Sequence, residues 1–196
     1  LLQNNQVWNG VQQIIIPQDA KYTTPYWLRE TGSLGMYAVE NPAFIGLPET
    51  PNTFEAIFEL DINGTSLSIR KPIVFKSNDP VKGEVYRPFE IVPEISTRIE
   101  DKVIIFADSV TKTIAVILNS RKDNLQGSLK LEIPQGWNSS PESFDFQLNH
   151  KGDEKTFYFK LTPPENQSEG FITPIAEIDG ESFSKELRSI EYDHIP

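Results

Sequence analysis

The stretch Phe54-Glu55-Ala56-Ile57-Phe58-Glu59-Leu60-Asp61-Ile62-Asn63-Gly64-Thr65-Ser66-Leu67-Ser68-Ile69 settles the fold class. Phe54, Ala56, Phe58, Leu60 and Ile62 fall on every second position, so their side chains share one face of an extended strand. Asn63-Gly64 then supplies the two positive-φ residues of a tight type I′ turn, and Leu67 and Ile69 resume the alternation on the way back. The stretch predicts an antiparallel hairpin with one face buried.

Toward the C-terminus the same style recurs. Ile114, Val116 and Leu118 alternate, then Leu129, Leu131 and Ile133, then Phe144, Phe146 and Leu148, then Phe157, Phe159 and Leu161. Gly, Pro, Asn, Asp or Ser separates each run from the next. Residues 175–178 lead into Asp179-Gly180, a second hairpin signal, and the chain resumes over 183–195. With the run Val103-Ile104-Ile105-Phe106, the second half carries about seven short strands in about 100 residues, the count and spacing of an immunoglobulin-like sandwich. Fifteen prolines and eleven glycines punctuate the chain, and no dozen residues keep apolar positions at three- and four-residue spacing, so helix is not expected. In residues 79–93, prolines at 80, 88 and 93 hinder regular pairing and favour extended backbone, which predicts a short semi-rigid connection with a boundary near 86–93. The expected fold is all-β: two consecutive immunoglobulin-like β-sandwich domains, residues 1–88 and 89–196, in preference to one large barrel.

Composition narrows the function classes. The chain has 196 residues, 38% hydrophobic and 23% charged, enough apolar material to bury a core. A formal net charge of -10 repels phosphate backbones and anionic headgroups, so nucleic acid is not an expected partner. No apolar run approaches the roughly 18 residues of a membrane-spanning helix, the longest being Ile14-Ile15-Ile16, and no membrane insertion is expected. Cysteine is absent, which removes disulfides, thiolate zinc sites and thiol nucleophiles together.

Signals for catalysis are few. His150 sits in the loop composition Asn149-His150-Lys151-Gly152-Asp153, and His194 alternates within the final predicted strand; neither has the close ligand company a metal needs. There is no His-Glu-x-x-His and no Gly-x-Ser-x-Gly elbow, and nothing favours a Ser-His-Asp set. Gly32-Ser33-Leu34-Gly35 lacks the Walker lysine and the dinucleotide spacing, and reads as a turn. Asp61-Ile62-Asn63-Gly64 begins like a calcium loop but lacks the closing glutamate, and the hairpin accounts for all four residues. No catalytic residue, metal ligand or cofactor is expected. The aromatic residues Tyr26, Trp27 and Trp137 are the candidate carbohydrate contacts, since flat rings stack on sugar faces; packing is the competing role for each, as it is for Trp8. Asn63, Asn138 and Asn166 begin Asn-x-Ser/Thr triplets, which matter only in a glycosylating host.

Two parts of the chain carry a family resemblance. Ile114-Ala115-Val116-Ile117-Leu118-Asn119, then Gly127-Ser128-Leu129-Lys130-Leu131-Glu132-Ile133-Pro134-Gln135-Gly136-Trp137, then the strand over 157–164 ending Thr162-Pro163-Pro164, resemble the NEW3 or alpha-galactosidase-associated sandwich module. That module shows an Asn-ended strand, a Gly-started strand closing on Pro-x-Gly-Trp, and a strand running into Thr-x-Pro. Pro25-Tyr26-Trp27-Leu28-Arg29, Leu34-Gly35-Met36-Tyr37 and Asp79-Pro80-Val81-Lys82-Gly83-Glu84-Val85-Tyr86-Arg87-Pro88 are similar to the region that follows the catalytic domain in large secreted PIG-L (LmbE-like) deacetylases of Bacteroidetes-type bacteria. Tyr192-Asp193-His194-Ile195-Pro196 is similar to an internal joint of the same proteins.

The PIG-L enzymes remove N-acetyl groups from amino sugars with a zinc ion held by Ala-His-Pro-Asp-Asp and a later histidine, and neither element occurs in this sequence. The resemblance therefore implies a non-catalytic accessory sandwich pair, a spacer, stabilising or targeting module of a periplasmic or extracellular enzyme. Its expected partners are the parent catalytic domain and a polysaccharide or glycoconjugate. A carbohydrate-binding module and a surface adhesin-type domain, the latter with an open edge over 190–195, are the alternatives. Leu1 is not an initiator and Met36 is the only methionine, which leads to the expectation that this is a piece of a longer polypeptide.

Overall fold

Eight residues with every second side chain apolar form β1, Glu55–Ile62, which returns through Asn63 (φ 52°) and Gly64 (φ 84°) as β2, Thr65–Pro72. The register pairs Phe58 with Ile69 and Leu60 with Leu67, so the apolar alternation matches across the ladder. Asp61 Oδ1 accepts a hydrogen bond from the Gly64 N–H at 3.0 Å, so the acidic residue closes the turn. In this computed structural model the described residues are 7, 9–17 and 19–188, which leaves Trp8, His194 and the strand expected over 189–195 outside them.

A second ribbon corrects the reading of residues 79–93 as a connection. Strands β3, Val74–Asp79, and β4, Gly83–Pro88, pair from Asp79↔Gly83 to Val74↔Pro88. The prolines do not prevent this because Pro80 lies in the turn and Pro88 at the strand's end, where a missing N–H costs little. Asp79 Oδ1 accepts from the backbone N–H of both Val81 and Lys82 at 2.8 Å, and Gly83 (φ 79°) completes the turn. These hydrogen bonds, Lys82's first, hold the Asp79 carboxyl below its ordinary range. The two ribbons share a root where the Ile73 N–H donates to the Phe54 carbonyl at 3.1 Å and the Phe54 and Phe89 rings meet edge to face at 5.4 Å.

The chain divides into two units, Leu1–Ile91 and Val92–Pro196. In the N-terminal unit the two ribbons are separate two-stranded sheets, accompanied by single 3-10 turns at Tyr26–Leu28 and Pro42–Phe44. The apolar face of the first ribbon is only half-buried, less than its alternation predicts: Phe54, Ala56, Leu60 and Ile69 are partly covered, whereas Phe58 is 44% exposed and Ile57, which points the opposite way, is 52% exposed. A lone two-stranded ribbon has no second layer within itself to bury a face against.

The C-terminal unit has that second layer. Strands β5, Ile95–Ile99, β6, Lys112–Ser120, β7, Leu125–Glu132, and β8, Asn138–Ser140, precede β9, Ser143–Leu148, and β10, Glu154–Thr162. A closing hairpin follows: β11, Thr173–Ile178, and β12, Glu181–Phe183, joined by Asp179 (φ 50°) and Gly180 (φ 85°). One sheet runs β5-β6-β10-β8 and the other β12-β11-β7-β9, with antiparallel pairing throughout. Val116, Leu118 and Phe159 from the first sheet meet Leu129, Phe146 and Ala176 from the second in one core. The fold is all-β, as the alternation predicts, and in this unit it is a closed sandwich of two sheets.

The expected strand over 103–106 is absent, and Ile95–Ile99 occupies the first position instead. Val103 and Ile105 point into solvent in a loop that Lys112 holds back on itself, its Nζ donating to the Ile105 carbonyl at 2.5 Å and lying 5.3 Å over the Phe106 ring. Both of these residues lack a partner strand, so their apolar side chains do not form a ladder.

Candidate functional site

Each aromatic candidate takes its position from a local turn. Pro25 starts the 3-10 turn that carries Tyr26 and Trp27. Tyr26 is 7% exposed; its hydroxyl donates to the Leu47 carbonyl at 3.1 Å, and its backbone N–H donates to Thr50 Oγ1 at 3.0 Å. Its ring packs edge to face against Trp27 at 4.8 Å and against Phe44 at 5.9 Å. Tyr26 is thus the packing anchor of this corner, while Trp27 is half-buried beside it. A neighbouring hollow of about 410 Å³ is lined by Lys21, Tyr22, Arg29, Phe44 and Phe54 among others, and neither Tyr26 nor Trp27 is in its wall.

Trp137 belongs to the other unit and has different surroundings. The turn Pro134-Gln135-Gly136-Trp137 closes with a hydrogen bond from the Trp137 N–H to the Pro134 carbonyl at 3.2 Å, with Gly136 at φ 84°. This places the indole at one end of the sandwich. Its Nε1–H donates to Ser168 Oγ at 3.0 Å, and its ring meets Phe106 edge to face at 5.0 Å.

These contacts build a groove of about 840 Å³ between residues 99–109 and 163–172, with Trp137 in its wall. Its two sides are anchored. A Cβ on Gly170 would lie 2.6 Å from Pro134 Cγ, so the 163–172 loop packs tightly on the turn before Trp137. Thr111 and Thr162 share a hydrogen bond of 2.8 Å between their hydroxyls, which ties the first loop to the end of β10. Lys102 is engaged with Glu186 at 2.6 Å. Partial burial pulls the Glu186 carboxyl up, but hydrogen bonds from Lys102 and Arg188 outweigh it and hold the group below its ordinary range.

The polar lining of the groove is largely uncommitted. Among the described residues, the side chains of Asp101, Glu165, Asn166, Gln167 and Glu169 make no hydrogen bond or ion pair. Phe171 stands at the rim, 91% exposed. Of the residues lining this groove, the sequence singles out Trp137 as an aromatic candidate and gives no signal for Phe106, Phe171 or the amides and carboxylates opposite. These lie in irregular loops, and only the pair Pro163-Pro164, which ends β10, marks where one of those loops begins.

Among the described residues no group of three or more His, Cys, Asp or Glu is placed to hold a metal ion, and no helix is long and apolar enough to cross a membrane. His150 lies in the turn between β9 and β10, where Asp153 Oδ2 accepts the backbone N–H of Asn149 and of His150 at 2.9 Å. Gly32-Ser33-Leu34-Gly35 is a tight turn closed by the bridge Ser33↔Met36. No protein-family model matches the chain, and no curated protein matches it.

Proposed function

We propose that this chain is a non-catalytic accessory region of a larger secreted deacetylase of the PIG-L type, in which the N-terminal unit lies against the parent catalytic domain and the C-terminal sandwich acts as a spacer or targeting module. One observation carries the reading. The first ribbon has an alternating apolar face in correct register, with Phe58 paired to Ile69 and Leu60 to Leu67, yet Phe58 and Leu67 are exposed and Leu60 and Ile69 only half-buried. Alternation of this kind is the signature of a face that packs on something, and a two-stranded ribbon of its own cannot provide that layer. A neighbouring domain of the same polypeptide is the cover that the resemblance supplies.

The strand order supports the immunoglobulin-like reading of the second unit. Its sheets contain β5-β6-β10 and β12-β11-β7, so the chain alternates between layers in the manner of a Greek-key sandwich.

The test has two arms. The coding sequence preceding this region is expected to carry Ala-His-Pro-Asp-Asp, and the full polypeptide, supplied with zinc, is expected to release acetate from an N-acetylglucosamine substrate. The 196-residue chain alone, under the same conditions, is expected to release none. Deacetylation by the chain alone at an enzyme-like rate, or a different upstream domain, contradicts the proposal.

A further inference from the structure

The groove at the end of the C-terminal sandwich has a set of groups that the accessory role does not use. Its volume of about 840 Å³ falls within the roughly 300–1,000 Å³ of ligand sites. Its walls are tied together by the Trp137–Ser168 and Thr111–Thr162 hydrogen bonds and by the close packing of Gly170 on Pro134. Preformed walls of this kind spare a ligand the entropic cost of ordering them.

We propose that this groove binds oligosaccharides that carry free amino groups, with Trp137 and Phe171 offering apolar ring surfaces and Asp101, Glu165, Asn166 and Glu169 receiving the polar groups. The chemistry follows from three features together. Sugar rings have an apolar C–H face that packs on aromatic planes, and the groove holds a half-buried indole in its wall and an open phenyl ring at its rim. Sugars also carry many hydroxyls that donate and accept at once, and one loop offers the uncommitted acceptors Glu165 and Glu169 with the amides of Asn166 and Gln167, which both donate and accept. The charge then selects among sugars. Asp101, Asp108, Glu165 and Glu169 line the groove against Lys102, whose ammonium is already engaged with Glu186 at 2.6 Å. A field of that sign disfavours uronic acids and favours ammonium groups, each of which brings three donors; Asp108 already accepts from the Val110 N–H at 3.2 Å, while Asp101, Glu165 and Glu169 accept from none.

This inference uses only residues of the C-terminal unit and stands apart from the deacetylase reading, so either can fail alone. In a chain joined to an N-acetyl sugar deacetylase, the groove would hold the product class rather than the substrate class.

The experiment is a calorimetric titration of the whole chain with a glucosamine hexamer, an N-acetylglucosamine hexamer, a galacturonate hexamer and hexalysine. The glucosamine hexamer is expected to bind about tenfold more tightly than the N-acetylated one, and the galacturonate hexamer not to bind. The double substitution Glu165→Gln with Glu169→Gln is expected to weaken glucosamine binding about tenfold, and Phe171→Ala to weaken it about threefold. Both sites are on the surface, so folding is retained, unlike Trp137→Ala, which would also remove the Phe106 contact. The substitution Trp27→Phe in the other unit is the control and is expected to change nothing. Absence of glucosamine binding, equal binding of the N-acetylated hexamer, hexalysine binding as tight as the sugar, or indifference to the Glu165, Glu169 and Phe171 substitutions would each overturn the proposal.

Discussion

Gly127 on β7 lies so close to the Glu177 carbonyl oxygen that a Cβ at this position would come within 2.0 Å of it, with Phe146 Cζ at 3.1 Å on the same side. The first obstacle is backbone of the neighbouring strand β11, which cannot turn aside as a side chain can. Gly127→Ala is therefore expected to push β7 and β11 apart and to cost about 3 kcal/mol. For a unit of this size the melting temperature falls by roughly 10–20 °C. A calorimetric melt of Gly127→Ala within about 2 °C of the parent chain would contradict this packing.

The two units should respond differently to loss of an aromatic ring. Phe159 is fully buried at the centre of the sandwich core, and Phe159→Ala is expected to cost about 3–5 kcal/mol in urea unfolding of the C-terminal unit. Phe58 sits on the uncovered ribbon face, and Phe58→Ala is expected to cost less than about 1 kcal/mol in the isolated chain. Equal losses at the two positions would mean that the first ribbon already has its cover within the chain.

The turn between β3 and β4 should be sensitive to acid. Hydrogen bonds from the Lys82 and Val81 N–H groups lower the Asp79 pKa in the folded state. A depressed carboxylate stabilises the fold at pH above its unfolded value, and that contribution is lost as pH falls through the folded value. An NMR titration of the Asp79 carboxyl carbon is expected to give a midpoint below that of an unstructured aspartate, together with loss of the Val74–Pro88 ladder signals at the acid end. Asp79→Asn, whose side-chain oxygen can still accept, should keep the turn and abolish its acid sensitivity. A midpoint at the ordinary aspartate value would remove the basis for this behaviour.

Local geometry was the legible part of this sequence. Asn63-Gly64 and Asp179-Gly180 specify positive φ at both turn positions, and both hairpins form there in the register the alternation demands. Phe157, Phe159 and Leu161 point inward because a period of two leaves them no other face. The segment 79–93 reads as a connection, yet its residues 79–88 belong to a paired ribbon, because proline counts against pairing only where an N–H is needed, and that depends on register, which the composition of the segment does not reveal. Val103 to Phe106 was misread because β propensity without a partner strand produces no ladder. The groove escaped for a different reason: Phe106, Trp137 and Ser168 are separated by about thirty residues each, and only the closure of the sandwich brings their loops to one end. Of the three aromatic candidates, Tyr26 and Trp27 touch each other, whereas Trp137 borders the groove.

The most direct test of the accessory role is amide hydrogen exchange, compared between this chain alone and the full polypeptide that contains it. Amides of β1 and β2 are expected to exchange at least about tenfold more slowly in the full polypeptide, where the ribbon is covered, while those of β6 and β10 in the sandwich core are unchanged. Equal exchange of the ribbon in both would show that its apolar face meets no neighbour, and the proposal that this unit docks on a catalytic domain would be contradicted.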